Sequence, residues 1–220
     1  NYPASPQRDR ALTEEELGRL LNRMRNGLDA GAVGLALGVE YTPGATQSEI
    51  LELFRLGASR SAPVHLHMRG FDPTRDWDDL YEVLAGAMIS RAQIHLNHLN
   101  SSAGSYTKRY LEILKAARSR GLDLTTECYP YEAGMTFIES AVFDGHAKWS
   151  DDEFTRLEWP LTGERLTRGS FLRYRQAGGP VILHQPDPTA HEAQLEACIA
   201  DPQAMIASDS SWDEGRTQPR

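Results

Sequence analysis

Cysteine is nearly absent from this chain: Cys128 and Cys198 are the only two among 220 residues. Two distant cysteines make no disulfide framework, and a reducing cytoplasm is the expected compartment. Basic runs are missing as well. The formal net charge is −8 and no basic-aromatic patch stands out, which argues against a nucleic-acid partner. No apolar stretch approaches the ~20 residues that a membrane span needs. The opening residues Asn1 to Ser5 lack the charged start and apolar centre of a signal peptide. They also lack an initiator Met, which fits a start inside a longer protein. A glycine-rich dinucleotide fingerprint is absent too. Gly31-Ala32-Val33-Gly34 leads into an apolar run, whereas a phosphate loop follows one. The 40% of hydrophobic residues then fits a globular chain, read as a single domain over 1–220.

What the chain does have is a repeat. Short apolar runs start near Ala32 (AVGLALGV), Pro63 (PVHLHM), Ala92 (AQIHLNHL) and Leu122 (LDLTTECY), about one strand-helix unit apart. Two more follow near Pro180 (PVILH) and Ala204 (AMIAS). Near-continuous apolar character reads as buried parallel strands. Helices lie between them. Thr13 with Glu16 and Thr46 with Glu49 are capping boxes, each ahead of residues that share an apolar face. Further helices are expected over 77–90, 105–118 and 192–200. The stretch at about 132–178 breaks the rhythm and reads as an insertion, with a helix around 171–177. Strand-helix units of this kind specify an α/β fold. The missing fingerprint favours a TIM-like (β/α) barrel over a doubly wound sheet, with six of its eight units visible.

In such a barrel the C-terminal strand ends face the active site. Those positions hold Glu40 and Tyr41, His67 and Arg69, His98, Tyr129 and Tyr131, His184, and Asp209. Each residue alone has an ordinary structural reading. A lone histidine at a strand end is more often simply hydrogen-bonded, and Asp209 alone has a helix-cap or salt-bridge reading beside the chemical one. Their convergence on one mouth is the argument. His98 closes the run IHLNH, where a buried neutral imidazole can present a nitrogen to a cation. His95, three residues earlier, reads as structural and on the opposite face. Asp209 can ligate a metal and take a proton from water. His65 and His67 share one strand face; His65 reads as structural and His67 as a pocket residue. Arg69 has two readings, a substrate carboxylate or a nearby acid that fixes loop geometry.

Several segments resemble, in order, those of D-aminoacylases and related N-acyl-D-amino-acid deacylases of the amidohydrolase superfamily. They are GAVGLALGVEYTPGA (31–45), HLHMRG (65–70), IHLNHLN (94–100), LDLTTECYPYEAG (122–134), WPLTGERLT (159–167), and MIASDSS with the terminal QPR (205–220). The resemblance covers the family's third to eighth barrel strands. It implies zinc, one or two ions, in the barrel mouth. It implies His98 as a metal ligand, and Asp209 as ligand and catalytic base. Arg220 would hold the substrate carboxylate, and Tyr41, Tyr129, Tyr131, His67 and Arg69 would surround the substrate. The pattern also departs from the family. The H-x-H pair of its first strand has no counterpart, nor has its flanking β-sandwich. Tyr129 stands where some members have a second histidine ligand, Asn100 replaces a common lysine, and Gln218 replaces the histidine of H-P-R.

The expected activity is hydrolysis of a small-molecule N-acyl-D-amino acid, with no nucleic-acid or membrane partner and with an oligomer left open. The alternatives are a cyclic-amide hydrolase similar to dihydroorotases or hydantoinases, and a non-catalytic fragment of an amidohydrolase.

Overall fold

A computed structural model of the chain describes residues 7–69 and 77–209. Five short strands form a parallel sheet: β1 (Leu35–Gly38), β2 (Val64–His67), β3 (Ile94–Leu96), β4 (Leu124–Cys128) and β9 (Ala204–Ile206). Their order is β1-β2-β3-β4-β9. Register runs straight across, with Val64 beside Leu35 and Ile94, and Ile94 beside Leu124. Helices α1 (Glu14–Asp29), α2 (Gln47–Ser59), α3 (Asp78–Ser90), α4 (Leu99–Ala103), α5 (Thr107–Arg118) and α8 (Pro188–Ala200) accompany the sheet.

The local signals explain most of these helices. Both capping boxes form: the Thr13 hydroxyl accepts from the Glu16 amide, and the Thr46 hydroxyl from the Glu49 amide. Glu49 reaches further, accepting the Leu12 N–H at 2.5 Å, and so ties the entry of α1 to α2. Helix α8 begins earlier than the sequence suggests. The Asp187 carboxylate accepts from the Thr189 and Ala190 amides at 3.0 and 3.1 Å, and Pro188 fills the first turn. Helices α2 and α3 approach closely because Gly86 has no Cβ; one placed there would lie 2.6 Å from the Phe54 ring.

The strands were expected to be buried on both faces, and they are not. One face, through Leu35, Leu37, Val64, Leu66, Ile94, Leu96, Leu124 and Cys128, joins the helices in one apolar core. The intervening residues Ala36, Thr125 and Met205 are exposed, and His65, His67 and Glu127 half-buried; His95 of β3 is the buried exception. All the covering helices therefore pack against the same side. A doubly wound sheet would place helices on both. Among the described residues the sheet stays open, with β1 and β9 as its edges.

The run Pro180–His184 does not join this sheet, contrary to the six-strand expectation. It is β8 of a second, antiparallel sheet with β5 (Ala133–Phe137), β6 (Leu157–Trp159) and β7 (Glu164–Arg165), in the order β5-β8-β6-β7. With α6 (Asp151–Thr155) and α7 (Arg168–Ala177), this region has its own core of Ile138, Phe143, Phe154, Leu157, Trp159, Leu166, Phe171 and Val181. The region that breaks the strand-helix rhythm thus extends past 178 and takes in His184.

The cysteines also depart from expectation. Cys128, at the end of β4, and Cys198, in α8, are joined as a disulfide with Cα atoms 6.3 Å apart. Both are fully buried. The bond ties α8 to the sheet and removes the cysteine argument for a reducing compartment. No helix among the described residues is long and apolar enough to cross a membrane.

Candidate active site

Because the main strands are parallel, Glu40, Tyr41, His67, His98, Tyr129 and Asp209 all follow their C-terminal ends. His184, counted with them from sequence, belongs to the antiparallel sheet, where its Nε2 meets Glu158 Oε2 at 2.9 Å. Five strand ends meet, not six.

His98 sits just after β3, and its backbone turns there into the left-handed region at φ 34° and ψ 56°. Asp209, just after β9, has a positive φ of 46°. Residues other than glycine, asparagine and aspartate enter this region at a cost of about 1–2 kcal/mol. The two residues expected to ligate metal both have positive φ, a costly conformation for His98 and one that Asp209, as an aspartate, tolerates.

Around His98 the contacts are close. Its Nδ1 lies 3.2 Å from Ser102 Oγ, which leaves Nε2 as the nitrogen able to ligate. The His67 ring stands edge-on at 4.3 Å, and the Tyr129 ring lies 6.4 Å away. Burial, with the nearby His67 second, lowers the His98 pKa to about 3. The imidazole is therefore neutral over the physiological range, the state in which it binds a cation.

His67 packs against Tyr41 at 4.9 Å, and its Nε2 pairs with Glu40. Glu40 stood among the strand-end residues but carried no assigned role. Its pairing depends on the 3-10 turn Val39–Tyr41, which no periodicity announces. Partial desolvation raises Asp209, which still reaches solvent, above the usual carboxylate range; His67 opposes the shift and Glu127 adds to it. Burial likewise raises the phenols of Tyr41 and Tyr129, and both also feel the charge of Asp209. The second sheet reaches the mouth here: the Thr136 hydroxyl, from β5, donates to Tyr41 Oη at 3.2 Å.

Behind this layer, His65 and His95 face each other at 4.9 Å. His95 Nδ1 meets Thr125 Oγ1 at 2.8 Å and its Nε2 meets Glu127 at 3.1 Å. His95 thus shares the face of His65 and His67, whereas its spacing from His98 had suggested the reverse. The left-handed turn at His98 ends the strand alternation on which that inference rested.

Tyr129 is fixed from behind. Fully buried Asn100 donates from Nδ2 to the Tyr129 carbonyl at 2.9 Å, and its Oδ1 accepts the Tyr129 amide at 3.3 Å. Tyr131 stacks on Tyr129 at 6.0 Å, and its carbonyl accepts from His191 Nε2 at 2.8 Å. Arg69 has its partners already. Its Nε donates to Glu82 at 2.9 Å and its Nη2 to the Ala45 carbonyl at 2.6 Å. The loop-fixing reading of Arg69 thus has its acid. Arg220, and the segment after Asp209, lie outside the described residues.

No protein-family model matches the chain. It is 25% identical to a D-aminoacylase of Alcaligenes xylosoxydans xylosoxydans over 98% of its own length and 46% of that protein. It is 31% identical to an N-acyl-D-glutamate deacylase of the same organism, over 54% of the chain and 26% of that protein. The chain is similar to a D-aminoacylase along nearly its whole length. Its fold agrees: the N-acyl-D-glutamate deacylase of Bordetella bronchiseptica, solved with zinc and a phosphonate mimic of the tetrahedral intermediate, superposes with a TM-score of 0.73. That likeness, at 21% identity, covers 96% of the chain and 46% of the solved protein. The chain therefore spans about half the length of that D-aminoacylase and of the solved deacylase.

The donor chemistry fits a zinc ion in part. Neutral His98 and the Asp209 carboxylate are suitable ligand types. Among the described residues, however, no three histidine, cysteine or carboxylate groups are placed to hold a metal together. Catalytic zinc usually takes three protein ligands.

Proposed function

We propose that the chain carries part of the active site of a zinc-dependent hydrolase that cleaves N-acyl-D-amino acids to a D-amino acid and a carboxylate. The observation that carries this reading is buried, neutral His98, set in a left-handed turn at a strand end and ringed by His67, Tyr129 and Ser102. The similarity to D-aminoacylase over nearly the whole chain supports it. The five-stranded parallel sheet, helical on one side only, is read as an arc of barrel wall.

His98 and Asp209 would hold the zinc, which supplies Lewis acidity and lowers the pKa of a water when bound. Asp209 accepts the proton of the attacking water and passes it to the leaving nitrogen. Its raised pKa makes it a better base than an ordinary aspartate. Tyr41, Tyr129 and Tyr131 wall the substrate, and their apolar packing excludes water. Glu40 holds the His67 ring against His98. Arg220 is proposed to take the substrate α-carboxylate through its guanidinium fork.

The test is hydrolysis of N-acetyl-D-amino acids by the full protein, with the L-enantiomers as controls, alongside zinc analysis. Asp209→Asn should abolish turnover while the fold persists; substantial residual hydrolysis would remove Asp209 as the base. Zinc content should fall in His98→Ala, and unchanged content would remove that ligand.

A further inference from the structure

A second polar cleft shares no residue with the strand-end mouth. Its volume is about 490 Å³, and Glu132, Asp152, Arg156, Arg165, His184 and Gln185 line it. It forms where β6 and β8 run antiparallel. The His184 amide donates to the Arg156 carbonyl at 2.9 Å, and Arg156 Nε returns a bond to the His184 carbonyl at 3.2 Å. The Gln185 amide donates to the Glu132 carbonyl at 3.2 Å, which brings Glu132 to the same rim.

The charges are unevenly matched. Glu158 is occupied twice, by His184 at 2.9 Å and Arg165 at 3.4 Å. Arg156 is half-buried, yet among the described residues no carboxylate forms an ion pair with it. Glu132 and Asp152 are exposed on the rim, and neither side chain has an ion-pair partner among the described residues. The half-buried Arg156 guanidinium feels the charge of Glu153, yet no carboxylate lies within ion-pair distance of it among the described residues, and its planar fork suits one. Opposite charges held apart across one cleft complement a ligand that carries both.

We propose that this cleft binds a small zwitterion, an amino-acid-like ligand whose carboxylate meets Arg156 and whose ammonium meets Glu132 and Asp152. The cleft is roomy for such a ligand, and with two charge contacts binding is expected at millimolar ligand.

The experiment titrates alanine of either hand, with acetate and methylammonium as half-ligands, into the full chain by calorimetry. In parallel, phenylglyoxal labelling of Arg156 is followed by peptide mass mapping. Alanine should bind saturably and slow the labelling of Arg156, and each half-ligand should bind at least about tenfold more weakly. Arg156→Gln and Glu132→Gln should each lose about tenfold in alanine affinity with unchanged circular dichroism. Acetate binding as tightly as alanine would make this a plain anion site and overturn the proposal. Unprotected Arg156 at saturating alanine would overturn it too. That labelling is done on the unsubstituted chain, so it decides the matter even if a variant fails to fold.

Discussion

Asn100 and Tyr129 are bound to each other twice, side-chain amide to backbone, as though Asn100 extended β4 by one more rung. Both residues are buried, so neither group has water as a substitute. Asn100→Ala removes both bonds and leaves a buried N–H and C=O unpaired. The expected loss is about 2–4 kcal/mol, read as a lower urea midpoint at unchanged slope. Asn100→Asp keeps the acceptor and loses the donor, so it should also destabilise. A loss below about 0.5 kcal/mol in Asn100→Ala would mean that Tyr129 is held by other means.

Arg69 separates two roles that predict different readouts. Its guanidinium engages Glu82 on two nitrogens and the Ala45 carbonyl on one, with side-chain exposures of 16% and 9% for the pair. A pair this enclosed is costly to break from one side. Arg69→Ala should destabilise by about 3 kcal/mol, and Arg69→Met with Glu82→Leu should recover much of it. A substrate-binding arginine would behave otherwise, raising KM in Arg69→Ala with stability intact.

How far the sequence discloses the molecule depends on the kind of signal. Thr13 with Glu16 and Thr46 with Glu49 are contacts between near neighbours, so the pattern that announces them also makes them. The strand runs are legible for the same reason. Direction is not. Pro180–His184 is as apolar as Val64–His67, and only its pairing with Ala133–Phe137 and Leu157–Trp159 shows it to be antiparallel. Apolar periodicity reports burial and says nothing about which neighbour does the burying. The candidate site follows the same division. His67, His98, Tyr129 and Asp209 were legible as polar ends of apolar runs. Glu40's pairing, the Asn100 clasp and the His65–His95–Glu127 cluster were not, because each needs the register between strands distant in sequence.

The Cys128–Cys198 bond closes a span of 70 residues that contains the whole antiparallel sheet. Loop-closure entropy alone assigns such a crosslink about 4 kcal/mol. Reduction, or Cys128→Ser with Cys198→Ser, should therefore lower the thermal midpoint by several degrees. Alkylation under non-reducing, denaturing conditions should modify no cysteine. Two alkylated cysteines in the untreated chain would show the bond to be absent.

His98 supplies a pH signature in protein stripped of metal by chelation. Burial holds its folded pKa near 3, whereas an unfolded histidine titrates near 6.5. Between these values the unfolded chain binds the extra proton, so stability rises with pH across the window. The contribution is full above about pH 6.5 and is lost as pH falls towards 3. Asp209 has the opposite sign: its raised pKa favours the folded state at low pH, and that contribution fades as pH rises through the folded value. The two groups oppose each other wherever their windows overlap, so the His98 slope, at up to about 1.4 kcal/mol per pH unit, is read as the difference between the protein and a variant that lacks the imidazole. His98→Asn should flatten that slope, since asparagine tolerates the left-handed backbone and does not titrate. Urea midpoints for both proteins across the window measure it. An acid loss of the same size in His98→Asn would assign it to another group and remove the argument that His98 is held neutral by burial.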